Sequence, residues 1–538
     1  MQQEAELSAA APRVAEAAAP RLKFVFSLLH PGYLRHYGQP IRLLAERGHE
    51  VHVALGRLEK DPGDFKLIEQ LAAECPTVSY SHAPARRRRD GWRRLGWLVR
   101  ALTDLARYGD PRYAAAPALR ARIADKLDWR IDYSRLPKPF KAPLHRKVAG
   151  LSTGANAELA QRTLKRLARL EDAIPPSRRI TRFLTEQRPD AVLASPVIEF
   201  ASSQVEYLKA ARELGIRTGI CVASWDNLTG KGLLRFVPDR VFVWNDIQRQ
   251  ELEDMHGISA DRVVLTGAQR FDDWFDRRPS TTREEFAGKV GLDRAQPYVL
   301  YLCSSPFIAP TEVDFVRRWL AALRVTLPNV GVLVRPHPQN AAQWREVDLG
   351  DPNAVVWPRE GEQPDAGDAR AGYFDSLAHS ACIVGINTSG LLEAGIVGKA
   401  VLTVLDPDFA GTQEGTLHFH YLRWENGGLL HVARDLDEHA AQLARALAQG
   451  EEDTRQVRAF VGRFTRPHGL DQPAAPRVAQ GIEELGRLGP APRPQASPGT
   501  LARRAALYPL ALTMTGVSYL LGGARRARKI VRGAAARA

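Results

Sequence analysis

The chain has 538 residues, 44% of them hydrophobic, with 75 Lys and Arg against 61 Asp and Glu and a formal net charge of +14. That length excludes a single ordinary domain and sets two domains plus tails as the expectation. The basic surplus suits a phosphorylated substrate or an anionic membrane surface, whereas the lack of zinc-finger spacing, of a glycine-rich basic tail and of an aromatic-basic strand pattern argues against nucleic acid as a partner.

Cys75, Cys221, Cys303 and Cys382 are scattered, three of them in apolar strand-like runs. Buried free thiols in a reducing compartment are the expectation. The first ten residues, MQQEAELSAA, have neither the basic nor the apolar region of a secretory signal, so a cytoplasmic location is the default expectation.

In chain order, residues 1–20 are alanine-rich and expected to be disordered. A first Rossmann-like domain is expected over 21–280. It opens with a strand from Lys23 to Leu29, a helix from Gln39 to Arg47 and a strand from Glu50 to Leu55, with His30, Gly32, His36 and Gly38 in the loop after the first strand. A helical insertion interrupts it over about 85–180. There Arg86 to Arg94 and the apolar positions Trp92, Leu95, Trp97, Leu98, Leu102 and Leu105 read as a basic amphipathic helix, either packed on the domain or lying on an anionic membrane. Strands return at Asp190 to Ala194, Thr218 to Ala223, Asp239 to Val243 and Val263 to Leu265, with helices from Glu199 to Leu214 and from Ile247 to Met255. A linker is expected from Arg277 to Thr282.

A second Rossmann-like domain is expected over 281–485, with strands at Tyr298 to Cys303, Gly331 to Arg335, Ala354 to Trp357, Ala381 to Ile386 and Ala400 to Leu405. The stretch after Ile386 is its most informative part. A polar corner, Asn387 to Gly390, joins a strand to a helix, where amide groups, Thr388 and Ser389 suit a phosphate and Glu393 suits sugar or ribose hydroxyls. The same residues also read as an ordinary capping box. Residues 486–538 form a proline-rich linker and a tail whose uncharged run, 505–524, precedes Arg525, Arg526, Arg528 and Lys529. It reads as a possible membrane anchor, or as a docking helix folded on the protein.

Side chains that suit chemistry gather at expected strand ends. Arg335 and His337, in R-P-H-P, suit a diphosphate. At the interdomain crossing Arg270 suits donor phosphate, Gly267 a sharp turn and Asp272 bonds to backbone amides. Asp226, in S-W-D-N-L-T-G-K-G, and His30 are alternative proton acceptors. No metal-ligand set and no cofactor motif emerges.

These pieces together resemble the GT-B class of glycosyltransferases, and within it the branch of CDP-glycerol glycerophosphotransferases and UDP-N-acetylglucosamine 2-epimerases. The resembling segments are H-P-G at His30, L-L-A-E-R-G-H-E-V at Leu43, P-D-R-V-F-V-W-N-D at Pro238, G-A-Q-R-F-D at Gly267, R-P-H-P at Arg335, D-S-L-A-H-S at Asp375 and N-T-S-G-L-L-E-A at Asn387, spanning roughly residues 22 to 460. The resemblance implies two Rossmann-like domains facing across a cleft, with a nucleotide-activated donor on the second. Arg335 and His337 would lie beside its diphosphate, Thr388, Ser389 and Gly390 would bind phosphate, and Glu393 would hold hydroxyls. It implies metal-independent sugar transfer, with no cofactor beyond the donor itself, to a glycan or lipid-linked acceptor of the cell envelope. Phosphoalditol transfer, nucleotide-sugar epimerisation and non-catalytic nucleotide-sugar binding are the alternatives.

Overall fold

The computed structural model describes residues 20–57, 62–130, 150, 157–364, 367–449 and 454–535. The expected disordered tail, apart from Pro20, and residues 131–149 and 151–156 of the insertion lie outside the described residues.

Two parallel sheets organise the chain. The first contains β1 (Lys23–Leu28), β2 (Glu50–Leu55), β3 (Val78–His82), β4 (Ala191–Ser195), β5 (Arg217–Cys221), β6 (Arg240–Val243) and β7 (Val263–Leu265), in the order β3-β2-β1-β4-β5-β6-β7. The second contains β8 (Tyr298–Leu302), β9 (Gly331–Arg335), β10 (Ala354–Val356), β11 (Cys382–Gly385), β12 (Ala400–Val404) and β13 (Leu430–Ala433), in the order β10-β9-β8-β11-β12-β13. Helices cover both faces, so the central strands β4, β8 and β9 are buried along their whole length, as continuous apolar runs dictate. This is the expected α/β architecture of two Rossmann-like units.

Strand order reverses between β1 and β4 in the first sheet and between β8 and β11 in the second. Ligands of open parallel sheets bind outside the carboxyl ends of strands at such switch points. The loop carrying His30 follows β1, and the corner 387–390 follows β11, so the fold sets both at these places.

Several local expectations are corrected. The first helix runs over Leu34–Glu46, so His36 and Gly38 are helical and not in the loop; its buried positions Leu34, Tyr37, Ile41 and Leu44 keep the helical period through Pro40. The helix expected from Glu199 is Val205–Leu214. Val197 and Ala201, at φ +58° and +52°, hold the preceding segment out of helical conformation. β3 carries no apolar run to announce it, being an edge strand with only Val78 buried.

The insertion is tied down by buried charge. Arg100 on helix Trp92–Arg107 reaches Glu171 at 2.8 Å and also pairs with Glu206, while Lys209 holds Glu171 at 3.0 Å. Burial alone would raise the Glu171 carboxyl, but Arg100 and Lys209 outweigh it and hold it at about 2. Removing one member of such a cluster strands the others without water. Arg100→Met is therefore expected to destabilise the fold by about 3 kcal/mol, read as a lower denaturant midpoint at unchanged slope.

Trp92, Leu95 and Val99 pack inward with Ile174 and Ala511, the packed reading of the amphipathic helix. The C-terminal helix, Pro498–Ala535, lies against helices Trp92–Arg107 and Ala157–Ala173. Among the described residues, no helix is long and apolar enough to cross a membrane. Helix Ala474–Arg487, within the stretch expected to belong to the second unit, packs instead on the first sheet, where Val478, Ile482 and Leu485 meet Phe24 and Phe242. The four cysteines are free and buried.

Candidate functional site

The two units meet through one apolar core that combines Trp225, Trp244 and Phe271 with Phe419, Phe460 and Phe464. Gly267, at φ +90°, makes the turn into the crossing, and a side chain there would strike Ala474. Asp272 accepts from the backbone amides of Ala474 at 2.9 Å and Ala475 at 2.7 Å, fixing the crossing as its position suggested. Trp225 is buried with its ring 4.8 Å from His418, so it belongs to this core and offers no stacking face to a ligand.

At the carboxyl end of β9, Arg335 is 4% exposed. Its guanidinium carbon lies 5.0 Å from the Trp357 ring centre and 4.9 Å from that of Tyr373. Neither terminal nitrogen has a hydrogen-bond partner among the described residues. Burial pushes this group down to about 10. A guanidinium without water or a carboxylate is costly, and the two aromatic faces offset only part of that cost. It remains cationic at neutral pH, and an anion would complete its bonding.

His337, two residues after Arg335, is neutral. Its Nδ1 accepts from the amide of Gln339 at 3.1 Å, which puts the proton on Nε2, and burial lowers it to about 4. At neutral pH it is an uncharged donor.

The corner after β11 is built differently from its expected form. Asn387 is spent on structure, donating to Thr412 at 3.0 Å and Thr416 at 3.2 Å. Helix Gly390–Ile396 has seven residues, too short for its dipole to act as an anion site of its own. The Thr388 hydroxyl accepts from the Gly390 amide at 3.5 Å, while the Ser389 side chain makes no capping bond. Gly390 is required by packing and not by ligand approach: a Cβ there would lie 2.9 Å from Leu302 and 3.0 Å from the Tyr373 hydroxyl. That space lets Tyr373 donate to Glu393. Glu393 is 6% exposed, and its other oxygen lies 3.6 Å from Arg270. Burial raises its carboxyl, with Arg270 and Tyr373 opposing. Arg270 thus bridges to Glu393, and its guanidinium also lies over Phe271 at 4.9 Å.

Across the crevice, buried His36 lies within electrostatic reach of Arg270, Arg35, Lys231 and His30; burial first, then these neighbours, keep it neutral. The His30 Nδ1 is 3.9 Å from the Asp64 carboxylate, which Arg35 also grips. That separation is beyond hydrogen-bond reach, so the carboxylate acts on the ring by charge alone. The close approach requires Gly32, where a Cβ would lie 2.6 Å from both Arg35 and Asp64.

Asp226 is less suited to act as a base. Burial would raise it, but Lys231 and His418 hold it at about 2, so it stays ionised and binds a proton weakly. Lys231 is not merely solvated: its Nζ lies 2.8 Å from Glu199, and Glu199 and Asp226 hold its pKa above the ordinary lysine value against the effect of burial. His418 enters from the second unit, 3.2 Å from the Thr229 hydroxyl, and is neutral, lowered to about 4 by burial. Arg122, from the insertion, lies 4.1 Å over Phe307 in the second unit. Asp64, Glu199, Lys231, Tyr373 and His418 were all missed from the sequence. Among the described residues, no three His, Cys, Asp or Glu side chains form a metal-holding group.

The neutral histidines carry a consequence for stability. His52, His337, His418 and His439 are lowered from 6.5 to about 4, and His36 and His256 lie well below 6.5. For groups whose folded pKa is depressed, stability is fully present above 6.5 and is lost as pH falls towards 4. Glu251 and Glu312, raised by burial to about 8, act in the opposite sense between 8 and 4.5, as do Asp104, Glu213, Asp272 and Glu393, whose carboxyls burial also raises; the histidine contribution is the one that starts to be lost at 6.5. Fluorescence-monitored unfolding is expected to begin below pH 6.5, with proton uptake, well above the range of carboxylate titration.

The strand order defines a two-domain α/β protein of GT-B-like architecture, with the buried cation Arg335 at the carboxyl end of β9 in the second unit. Solved structures similar to it include glycosyltransferases and UDP-GlcNAc 2-epimerases. They include a glycosyltransferase from Rickettsia africae (10% identity, 87% of this chain and 99% of that chain covered, TM-score 0.48). UDP-GlcNAc 2-epimerase from Neisseria meningitidis bound to UDP-GlcNAc is another (10%, 87% and 100%, 0.45). A third is the Methanocaldococcus jannaschii epimerase in complex with UDP-GlcNAc and UDP (12%, 87% and 100%, 0.44). At such identities and scores these likenesses decide nothing: the architecture stands on the strand order, and the functional reading on this chain's own residues. No family model and no curated protein sequence matches the chain.

Proposed function

We propose that this protein is a glycosyltransferase that moves a sugar from a nucleoside diphosphate donor to a hydroxyl of a cell-envelope, polysaccharide or lipid-linked acceptor. The observation that carries this reading is the buried guanidinium of Arg335, unpartnered among the described residues, at the carboxyl end of β9, the strand beside β8 of the switch point. The donor diphosphate would complete that cation's bonding, with the Nε2–H of His337 and the Ser389 hydroxyl as neutral donors beside it. Glu393, held by Tyr373 and Arg270, would accept from sugar or ribose hydroxyls.

In the transfer step the acceptor oxygen forms a bond to the anomeric carbon, and the bond from that carbon to the phosphate oxygen breaks. Its electron pair leaves with the nucleoside diphosphate, whose growing charge Arg335 stabilises. The acceptor proton passes to the His30 imidazole, with the Asp64 carboxylate, 3.9 Å away, stabilising the resulting imidazolium by charge. Asp226, ionised and paired with Lys231, would orient the acceptor.

The test is to incubate the full chain with nucleotide sugars in EDTA and follow the products with and without candidate acceptors. Acceptor-dependent release of nucleoside diphosphate supports transfer. Release of CMP from CDP-glycerol would point to phosphoalditol transfer, and an epimerised nucleotide sugar formed without acceptor would point to epimerisation.

A further inference from the structure

Helix Pro498–Ala535 presents its residues in the reverse of the usual order. Arg504 turns toward the protein, donating to the Ala173 carbonyl at 3.1 Å, while Arg503 donates to the Thr500 hydroxyl of its own helix at 3.3 Å. Ala511, Leu507 and Met514 pack on Trp92, Leu95 and Val99. Leu501, Tyr508, Leu510 and Leu512 are nevertheless exposed by 50, 47, 49 and 47%, Tyr508 with its ring 5.7 Å from that of Trp92 at the edge of the packed side. Leu501, Tyr508 and Leu512 recur at helical spacing and share a face. A surface helix in water would carry charge there.

The surroundings of this face are predominantly basic, the one acidic neighbour in the segment 86–94, Asp90, being paired with Arg86 at 3.1 Å. Leu512 packs at Gly91, where an added Cβ would lie 3.1 Å away, and the Thr515 hydroxyl donates to the Gly91 carbonyl at 3.0 Å. The face therefore abuts the start of helix Trp92–Arg107, where Arg87, Arg88, Arg89, Arg93 and Arg94 are exposed. Arg93 is lowered by burial and then by Arg94 and Arg88, cations that crowd one another. No acidic residue follows Glu484, while Arg525, Arg526, Arg528, Lys529 and Arg532 extend the basic sequence.

A second copy would set this basic rim against itself, so charge argues against self-association. An anionic lipid surface satisfies both halves of the pattern: apolar side chains enter the interface and arginines meet headgroup phosphates. We propose that the exposed face of helix Pro498–Ala535 and the arginines at 87–94 dock this protein on an anionic lipid surface, with the helix lying in the interface plane and not across it. This inference is independent of the donor chemistry.

The experiment is co-sedimentation of the full chain with vesicles of equal parts phosphatidylglycerol and phosphatidylcholine, against phosphatidylcholine alone. Binding is expected to the first only, and to weaken with salt. Arg93→Glu with Arg94→Glu, and separately Leu501→Asp, are each expected to weaken partitioning about tenfold or more, with thermal unfolding of the free protein unchanged. Several results would overturn the proposal: no sedimentation with anionic vesicles, equal sedimentation with neutral ones, or full binding by both variants. Equally damaging would be a concentration-dependent dimer that the leucine change dissolves, since this would assign the face to a second copy.

Discussion

Arg335→Met is expected to yield a protein at least as stable as the parent that binds nucleoside diphosphates about a hundredfold more weakly or worse. The two effects have one cause. In the free protein the guanidinium is buried between Trp357 and Tyr373, with its terminal nitrogens lacking partners among the described residues. Replacing it by an apolar side chain removes an uncompensated charge, a change often neutral or stabilising where a buried ion gives way to packed carbon. With a diphosphate bound, the same guanidinium would make charge-assisted hydrogen bonds, each worth about 1.5–3 kcal/mol, so losing two accounts for the fall in affinity. A merely structural arginine would behave in the opposite way, with stability falling and nucleotide affinity holding. Thermal unfolding with and without nucleotide separates the cases.

His30→Ala is expected to lower turnover by about 10²–10⁴ while leaving donor affinity nearly unchanged. His30 sits on the first unit beside Asp64, whereas the donor's cation sits on the second. Binding and proton removal are thus assigned to different sheets, and the two variants should separate them. Asp64→Asn, which keeps the size of the side chain but not its charge, should reproduce part of the His30 effect. If turnover survives His30→Ala and vanishes in Asp226→Asn, the base is Asp226, and the low proton affinity set by Lys231 has been overridden in the bound state.

What the sequence disclosed follows from the range over which each signal acts. Apolar runs such as Tyr298–Leu302 and Gly331–Arg335 specify buried parallel strands by themselves, so the two sheets and the residues at their carboxyl ends were legible. Edge strand β3 was not, because exposure removes the apolar pattern. Charge state was equally hidden. His337 reads as a potential cation until burial and the Gln339 amide make it neutral. Lys231 reads as solvated until folding brings Glu199 to 2.8 Å. Gly390 looked like room for a ligand, yet its neighbours Leu302 and Tyr373 come from strands and helices distant in sequence. His418 and Asp64 carry no local motif and reach the crevice only through tertiary structure. The membrane-like composition of 505–524 was visible, but which side of the helix faces the protein depended on its packing against Trp92 and Leu95.

The most direct measurement is calorimetric titration of the folded full chain with UDP, GDP, CDP and dTDP in EDTA, alongside Arg335→Met. Saturable binding of at least one of them, lost in the variant, is the expected result and would also name the donor base. Absence of heat with all four, from protein whose unfolding transition is intact, would contradict a donor site at Arg335 and with it the transferase reading.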